Sequence, residues 1–240
     1  MILDRLLPQA YERLSRDLEE LHLDLHQVVH RPGDEIKYLY FPVDCMISVT
    51  VTMSDGKTVE AGAAGSREVV GINAFMGGGE TNQTEYIGQL AGKAMRIPAA
   101  PLRDEFDRNN SLRTLLLKFT QAYIAQISQN AACNRVHTLE ERCARWLLEV
   151  RDRVSSDEFG LTQEFLSQML GANRTTVSLT MVSFKDHGLI DYGRGDLHLL
   201  DIPALKRASC ECYFVLQEEY SRLLGPSPND EAVLIIPSRR

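Results

Sequence analysis

The stretch LTQEFLSQMLGANRTTVSLTMVSFKDHGLIDYGRGDLHLL, residues 161–200, decides the fold. It holds two short segments with helical spacing of apolar residues, the first closed by Gly171 and the second by Gly188. Thr162 and Asn173 precede these segments, and such side chains accept hydrogen bonds from the free N–H groups at a helix start. Glycine is the usual residue after a helix end. The pattern therefore predicts two short helices joined by a tight turn, which is the helix-turn-helix arrangement.

A small hairpin is predicted directly after the second helix. Apolar and polar residues alternate in residues 189–192 and again in residues 197–200. The sequence GRGD at 193–196 between them is typical of a turn. A hairpin in this position is the wing of a winged helix-turn-helix.

The second predicted helix carries the side chains that indicate DNA binding. Arg174 lies in its first turn, from which recognition helices reach base edges. The guanidinium can bind O6 and N7 of guanine with two hydrogen bonds, and neighbouring hydroxyls and amides can bind phosphates or bases. The predicted DNA contacts are Thr162, Gln163, Asn173, Arg174, Thr175, Thr176, Ser178, Lys185 and Arg194.

The overall charge does not favour nucleic-acid binding. The chain has 26 basic and 33 acidic residues, a formal net charge of −7, so binding by bulk electrostatics is not expected. DNA binding therefore depends on the local motif, and a sensor or adaptor dimer that uses its winged helix for protein contacts stays an alternative. No nucleophile elbow, H-E-x-x-H motif or dinucleotide fingerprint occurs, so the chain is not predicted to be an enzyme.

The N-terminal part changes from helical spacing in residues 1–20 to a period of two in residues 21–25. Short strand-like runs follow, with SDGK at 54–57 as a hairpin turn. These runs are residues 38–41, 46–53, 58–63, 85–90 and 94–97. Short strands separated by turn signals predict a sandwich, a barrel or a jelly roll.

A long helix is predicted between the two parts, because apolar residues recur at three and four positions without Pro or Gly. Its central position favours a dimer interface over packing on the chain's own strand domain, and both interpretations remain open. The predicted interface residues are Leu112, Leu116, Phe119, Tyr123, Gln126, Ile127 and Asn130.

These elements predict an α+β protein with four parts. They are a strand domain (1–110), a dimerisation helix (111–137), a winged helix-turn-helix (138–205), and a helical extension with a tail (206–240). No apolar stretch of membrane-spanning length and no signal peptide is present, so a cytoplasmic protein without membrane contact is expected.

The metal-ligating residue types give no strong signal. The five cysteines, an odd number, are scattered and contain no C-x-x-C pair, so neither a disulfide framework nor a zinc ribbon is indicated. Cys210 and Cys212 could form a redox pair, but ordinary helix positions are favoured. His22, Asp24 and His26 could share one face of a strand as metal ligands, although a solvated face is favoured. No metal and no cofactor is predicted.

The chain resembles the Crp/Fnr family of bacterial transcription factors, named for the cyclic-AMP receptor protein and the fumarate-nitrate regulator, from its start to about residue 205. The resemblance is most specific in LGANRTTVS (170–178) and KDHGLI (185–190). It implies a jelly-roll sensor domain, a dimer along the central helix, an inverted-repeat operator, and RNA polymerase as a further partner. Arg174 falls on the family's base-reading arginine. Thr175 and Leu179 stand where an acid and a second arginine are frequent, so the operator sequence differs.

The family's cyclic-nucleotide site combines G-E-L-G with a later R-S-A or R-T-A. The matching residues in this sequence are Gly71, Ile72, Asn73, Ala74, Asn82, Gln83 and Thr84. Ile72 replaces the acid and Asn82 replaces the arginine. The resemblance therefore implies an altered effector pocket that does not respond to cyclic AMP.

Overall fold

The computed structural model describes residues 2–77, 83–193 and 195–226. The strands are β1 (Glu19–Leu23), β2 (Val28–His30), β3 (Tyr38–Pro42), β4 (Met46–Thr52), β5 (Thr58–Ala64), β6 (Thr84–Leu90), β7 (Gly92–Pro98), β8 (Glu158–Gly160), β9 (Ile190–Gly193) and β10 (Asp196–Leu199). The α-helices are α1 (Pro8–Leu14), α2 (Ala99–Arg108), α3 (Asn110–Val136), α4 (Leu139–Val154), α5 (Gln163–Leu170), α6 (Arg174–Asp186), α7 (Ile202–Ala208) and α8 (Cys212–Leu224). The predicted α+β class, with strands first, a long central helix and a helix-turn-helix, is confirmed.

The N-terminal domain consists of two antiparallel sheets with the strand orders β1-β7-β3 and β2-β6-β4-β5. Each sheet turns apolar side chains into a common core, which includes the fully buried Leu23, Leu39, Ile47 and Ile97. In β1, Leu23 is buried and Leu21 is half-buried while His22 between them is exposed, which is the period of two that the sequence showed.

The first residues fold differently from the prediction of one helix over residues 1–20. Helix α1 ends at Leu14, because β1 begins at Glu19 and pairs with β7. That strand ends at Leu23, and His26 takes a positive φ of 63° in the following turn. His22 and Asp24 form an exposed pair at 3.7 Å, whereas His26 packs on the ring of Phe165. The three residues are therefore not gathered on one strand face.

Helix α3 spans 27 residues and is capped by Asn109, whose side chain accepts hydrogen bonds from two backbone N–H groups. Most of its predicted dimer residues are covered within the single chain. Leu112, Leu116, Phe119 and Gln126 are at most 2% exposed within the single chain, since they pack against the N-terminal domain and α8. Tyr123 and Asn130 also face β5, and of the seven predicted residues only Ile127 is exposed.

A different face of α3 is exposed and apolar. The exposed side chains are those of Leu117, Ile124, Ile127, Ala131 and Val136. The first four follow one another at intervals of seven, three and four residues, which is the spacing of a coiled-coil seam. We call Leu117, Ile124, Ile127 and Ala131 the α3 stripe.

The C-terminal domain contains α4 to α8 and a third sheet with the order β8-β10-β9. Helix α4 begins with a capping box between Thr138 and Glu141, which satisfies two free N–H groups. Its core also takes in Met46 and Ala63 of the N-terminal domain, and α5 lies on β5. The two domains therefore share a packed interface.

In the three described ranges, no helix has the length and the hydropathy that crossing a membrane requires.

Candidate nucleic-acid interface and ligand cavity

Thr162 caps the start of helix α5, and Gly171 ends the helix and forms the turn after it. The Thr162 hydroxyl accepts a hydrogen bond from the Phe165 N–H at 3.2 Å. Gly171 ends the helix with a φ of +58°, and a Cβ atom there would lie 2.8 Å from Cγ1 of Val59 in β5. Both the left-handed backbone and the contact between the domains therefore require glycine.

Helix α6 presents most of the predicted DNA contacts to solvent. Asn173 begins it by accepting a hydrogen bond from the Thr175 N–H at 2.8 Å, while Val177, Met181 and Phe184 anchor its inner face. The side chains of Arg174, Thr175 and Thr176 are exposed together at its start. This placement matches the start of a recognition helix.

Two apolar side chains on α6 were not predicted as contacts. Leu179 is 66% exposed and Val182 is 54% exposed. Apolar side chains on a helix in the major groove contact the methyl group of thymine. The sequence contained a signal for them, because both lie off the inward face that Val177, Met181 and Phe184 define.

The polar side chains at the start of α6 also contact α5. The Arg174 guanidinium lies 3.4 Å from the Glu164 carboxylate, and both side chains are more than half exposed. Exposed pairs of this kind contribute roughly 0–1 kcal/mol, so Arg174 can exchange its partner for DNA. Ser178 donates a hydrogen bond of 2.5 Å to Gln163, which joins the two helices.

Lys185 bonds to β9, the first strand of the wing. Its ammonium group lies 2.7 Å from the Asp191 carboxylate and donates to the carbonyl of Tyr192 at 3.1 Å. The hydrogen bond from Lys185 keeps the pKa of Asp191 below its usual value. Lys185 thus has partners on β9. The remaining predicted DNA contact, Arg194, lies outside the described residues.

A cavity of about 270 Å³ lies between the second sheet and α3. Four residues of the predicted effector pocket line it, namely Gly71, Ile72, Asn73 and Thr84. The other predicted pocket residues do not line it. Ala74 is buried beneath α2, where its carbonyl accepts a hydrogen bond from Arg103. Gln83 lies in a separate surface groove beside Met53, and Asn82 lies outside the described residues.

No charged side chain is among the described residues that line this cavity. Two arginines that could supply a cation, Arg67 and Arg96, have partners elsewhere. Arg67 contacts the carbonyl of Gly225, and Arg96 lies over the ring of Tyr38 and bonds Glu19 at 2.8 Å. The buried hydroxyl of Tyr123, in the cavity wall, has no hydrogen-bond partner. The described lining therefore offers mainly apolar contacts.

Comparison with known proteins agrees with this geometry. The sequence model of the Crp-like helix-turn-helix domain matches residues 141–208. The CRP-like cAMP-activated global transcriptional regulator of Mycobacterium tuberculosis is 22% identical over 191 residues, covering 76% of this chain and 84% of that protein. The structure of FixK2 from Bradyrhizobium japonicum has a TM-score of 0.69 at 16% identity and covers 80% of this chain and 98% of that one. A transcriptional regulator of the CRP family from Thermus thermophilus, TTHB099, has a TM-score of 0.65 at 17% identity and covers 79% and 96%.

A strand domain with a cavity, a long helix and an exposed recognition helix are the features of a DNA-binding regulator. Residues 141–208 match the Crp-like helix-turn-helix domain, and the whole chain resembles transcription regulators of the Crp/Fnr type. Its fold is similar to that of the Thermus thermophilus regulator, and its helix-turn-helix matches the Crp-like domain of transcription regulators.

Proposed function

We propose that this regulator reads an inverted-repeat DNA site as a homodimer. The observation that carries the proposal is the joint exposure of Arg174, Thr175 and Thr176 at the capped start of α6. With a net charge of −7, binding relies on this local surface rather than on a basic face. Leu179 and Val182 add apolar contacts that favour thymine. The predicted contacts Thr162, Gln163, Asn173 and Ser178 keep a role in orienting α5 and α6 while they face the backbone phosphates.

The α3 stripe supports the dimer. An exposed seam with coiled-coil spacing is buried when two copies of the helix pack side by side. Twofold symmetry then places the two copies of α6 about one helical turn, or ~34–36 Å, apart on DNA, so the site is an inverted repeat. RNA polymerase is the partner through which such a bound dimer changes transcription in the cytoplasm.

The cavity next to α3 supports an effector of low charge. Its volume of about 270 Å³ is near the lower limit of ordinary ligand pockets. Its mainly apolar lining suits a small, largely apolar molecule. A buried phosphate without a cation is disfavoured by several kcal/mol, roughly.

In vitro selection from a pool of random DNA duplexes tests the proposal. We expect the full-length protein to enrich an inverted repeat with half-sites about one helical turn apart. Recovery of no preferred sequence, under conditions in which the protein is folded, contradicts DNA readout and favours the adaptor function. Enrichment of an isolated half-site contradicts the dimer alone.

A further inference from the structure

Four potential metal ligands meet where α3 ends. Cys133 and His137 lie in the last turn of α3 and at its C-cap, and Cys210 and Cys212 lie where α7 is linked to α8. Their ligand atoms, three sulfurs and one imidazole nitrogen, all lie within 4.8 Å of one another. We call these four residues the Cys3His cluster.

Two distances in the cluster match those of a tetrahedral metal site. The sulfur atoms of Cys133 and Cys210 are 3.6 Å apart, and the sulfur of Cys212 is 3.6 Å from Nδ1 of His137. With zinc–sulfur bonds of about 2.3 Å, two sulfurs of a tetrahedral site lie about 3.8 Å apart. The same 3.6 Å is far longer than a disulfide bond of about 2.05 Å.

The surroundings orient the ligands. Nε2 of His137 lies 3.1 Å from the Glu211 carboxylate, which leaves Nδ1 directed at the sulfurs. Gln129 donates a hydrogen bond of 3.0 Å to the sulfur of Cys212. A carboxylate behind a ligating histidine and a donor to a ligating thiolate are the outer partners that metal sites use.

The three sulfurs are sealed from solvent. Cys133, Cys210 and Cys212 are at most 2% exposed and form a small cluster of their own, apart from the two apolar cores. Their separation from those cores means that packing of the domains does not account for their grouping. The other two cysteines, Cys45 and Cys143, are buried singly within the apolar cores.

We propose that Cys133, His137, Cys210 and Cys212 bind one zinc ion in a closed tetrahedral site. The thiols release their protons to solvent on binding, and the neutral imidazole binds through Nδ1. Three thiolates and one imidazole fill all four positions, so the site is structural and leaves no position for a substrate. The sequence signal was Cys-x3-His at helical spacing followed by Cys-x-Cys, in place of the C-x-x-C pairs of zinc ribbons.

The site joins the central helix to the end of the C-terminal domain. It holds the last residues of α3 to the link between α7 and α8, and α7 packs on α4. We infer that the metal fixes the C-terminal domain relative to α3 and so supports DNA binding. This second step rests on the proposed function, whereas the metal site does not.

Metal analysis of the full-length protein tests the site. After expression in zinc-supplemented medium and gel filtration under reducing conditions, we expect one zinc per chain. The double variant Cys210→Ser/Cys212→Ser should lose it, and the matched variant Cys45→Ser should retain it. Absence of zinc from the wild type, equal zinc in the double variant, or iron with sulfide in place of zinc overturns the proposal.

Cobalt substitution tests the site in the wild-type protein, so the result does not depend on whether the variants fold. Wild-type protein stripped with a chelator and titrated with Co²⁺ should show thiolate-to-cobalt charge transfer and the intense d–d bands of tetrahedral coordination, with saturation at one equivalent. Weak octahedral bands, or a Cys133–Cys210 disulfide that forms in the presence of reductant, overturn it.

Measurements of DNA binding test the metal site and its effect on DNA binding separately. Stripped protein should bind its selected DNA at least about tenfold more weakly than zinc-loaded protein, and added zinc should restore the affinity. Equal affinity with and without zinc overturns the link to α3 but not the site. Failure to bind DNA in both forms contradicts the proposed function, while the metal content still decides the site.

Discussion

The indole N–H of Trp146 donates a hydrogen bond of 3.2 Å to one carboxyl oxygen of Glu60. The other oxygen of this carboxyl accepts a hydrogen bond of 2.8 Å from Ser48. One side chain thus joins β4 and β5 of the N-terminal domain to α4 of the DNA-binding domain. Burial between the domains raises the pKa of Glu60 to about 7, although both hydrogen bonds and the charge of Arg153 act in the opposite direction.

This raised pKa predicts a loss of stability with rising pH. The unfolded chain releases the Glu60 proton near pH 4.5, whereas the folded chain holds it to about pH 7. Folding therefore takes up a proton between these values, and the free energy of unfolding falls as the pH rises through this window and is constant above it. We expect Glu60→Gln to remove up to about 3 kcal/mol of this pH dependence.

Urea unfolding of wild type and Glu60→Gln at pH 5 and pH 8 measures the effect. Glu12→Gln is the matched control, because Glu12 is exposed on α1. If the difference between wild type and Glu60→Gln is the same at both pH values, Glu60 does not titrate between the domains.

The α3 stripe predicts that Leu117→Glu weakens the dimer. Leu117 is 50% exposed in the single chain and does not line the cavity. A dimer interface would bury one new carboxylate from each chain, which would cost roughly several kcal/mol. Sedimentation equilibrium should show a shift towards monomer by at least about tenfold in the dissociation constant.

Leu7→Glu provides the matched control for this shift, since Leu7 is 57% exposed at the N-cap of α1, away from the stripe. A Leu117→Glu protein that sediments like the wild type places the interface elsewhere.

Arg174→Ala should relax DNA readout at one base pair. If its guanidinium binds guanine with two hydrogen bonds, the loss costs about 1–3 kcal/mol at that position and little at others. The variant also removes the exposed pair with Glu164, which is too weak to affect folding. Fluorescence anisotropy on singly substituted versions of the selected site measures this pattern.

Lys185→Ala serves as the comparison, because Lys185 bonds the wing strand through Asp191 and Tyr192. Its loss should reduce affinity evenly over all sites, by about 1 kcal/mol or less. Unchanged base preference in Arg174→Ala, or a base-specific effect of Lys185→Ala, would reverse these two assignments.

Cyclic AMP should not bind the cavity between the second sheet and α3. The described lining contains no cation for the phosphate, and Ile72 stands where a carboxylate would accept from the ribose. Arg67 and Arg96 both have partners outside the cavity. Calorimetric titration should show no heat of binding at about 100 µM nucleotide, a concentration that reports affinities of about −5 kcal/mol or better.

The Mycobacterium tuberculosis relative, whose name describes it as cAMP-activated, is the positive control for this titration. Micromolar binding by the present protein, together with tighter DNA binding, would show that the cavity admits a cation that the described lining lacks.

Most of the fold could be predicted from local patterns. The caps Thr162 and Asn173 and the stop at Gly171 mark α5 and α6 correctly because each acts within one helix turn. The same reasoning predicted a dimer along α3 without showing that most of the predicted residues pack within the chain, since periodicity reveals an apolar stripe but not its partner. Here β5 and α8 pack against the buried face of α3, which includes Leu112, Leu116 and Phe119, and the α3 stripe remains exposed.

The Cys3His cluster could not be predicted from the sequence for a related reason. Cys133 and Cys210 are 77 positions apart, and only the return of α8 along α3 brings their sulfurs together. Spacing rules detect ligands within one loop or helix, whereas this site forms from two distant segments. The roles of Asp191 and Glu164 as partners of Lys185 and Arg174 were also hidden, because each pair depends on the position of two packed elements.

Strand β5 has a consequence for communication through the molecule. Ala61 and Ala64 line the cavity, whereas Glu60 and Ala63 contact the DNA-binding domain. A molecule that enters the cavity and the helices that bind DNA therefore touch the same seven-residue strand. If binding in the cavity shifts β5 and thereby changes the affinity for DNA, then DNA binding must change the affinity for the molecule in the cavity by the same factor. This holds because linked binding equilibria are reciprocal. An operator fragment should thus change the affinity for the effector by the same factor by which the effector changes the affinity for the operator.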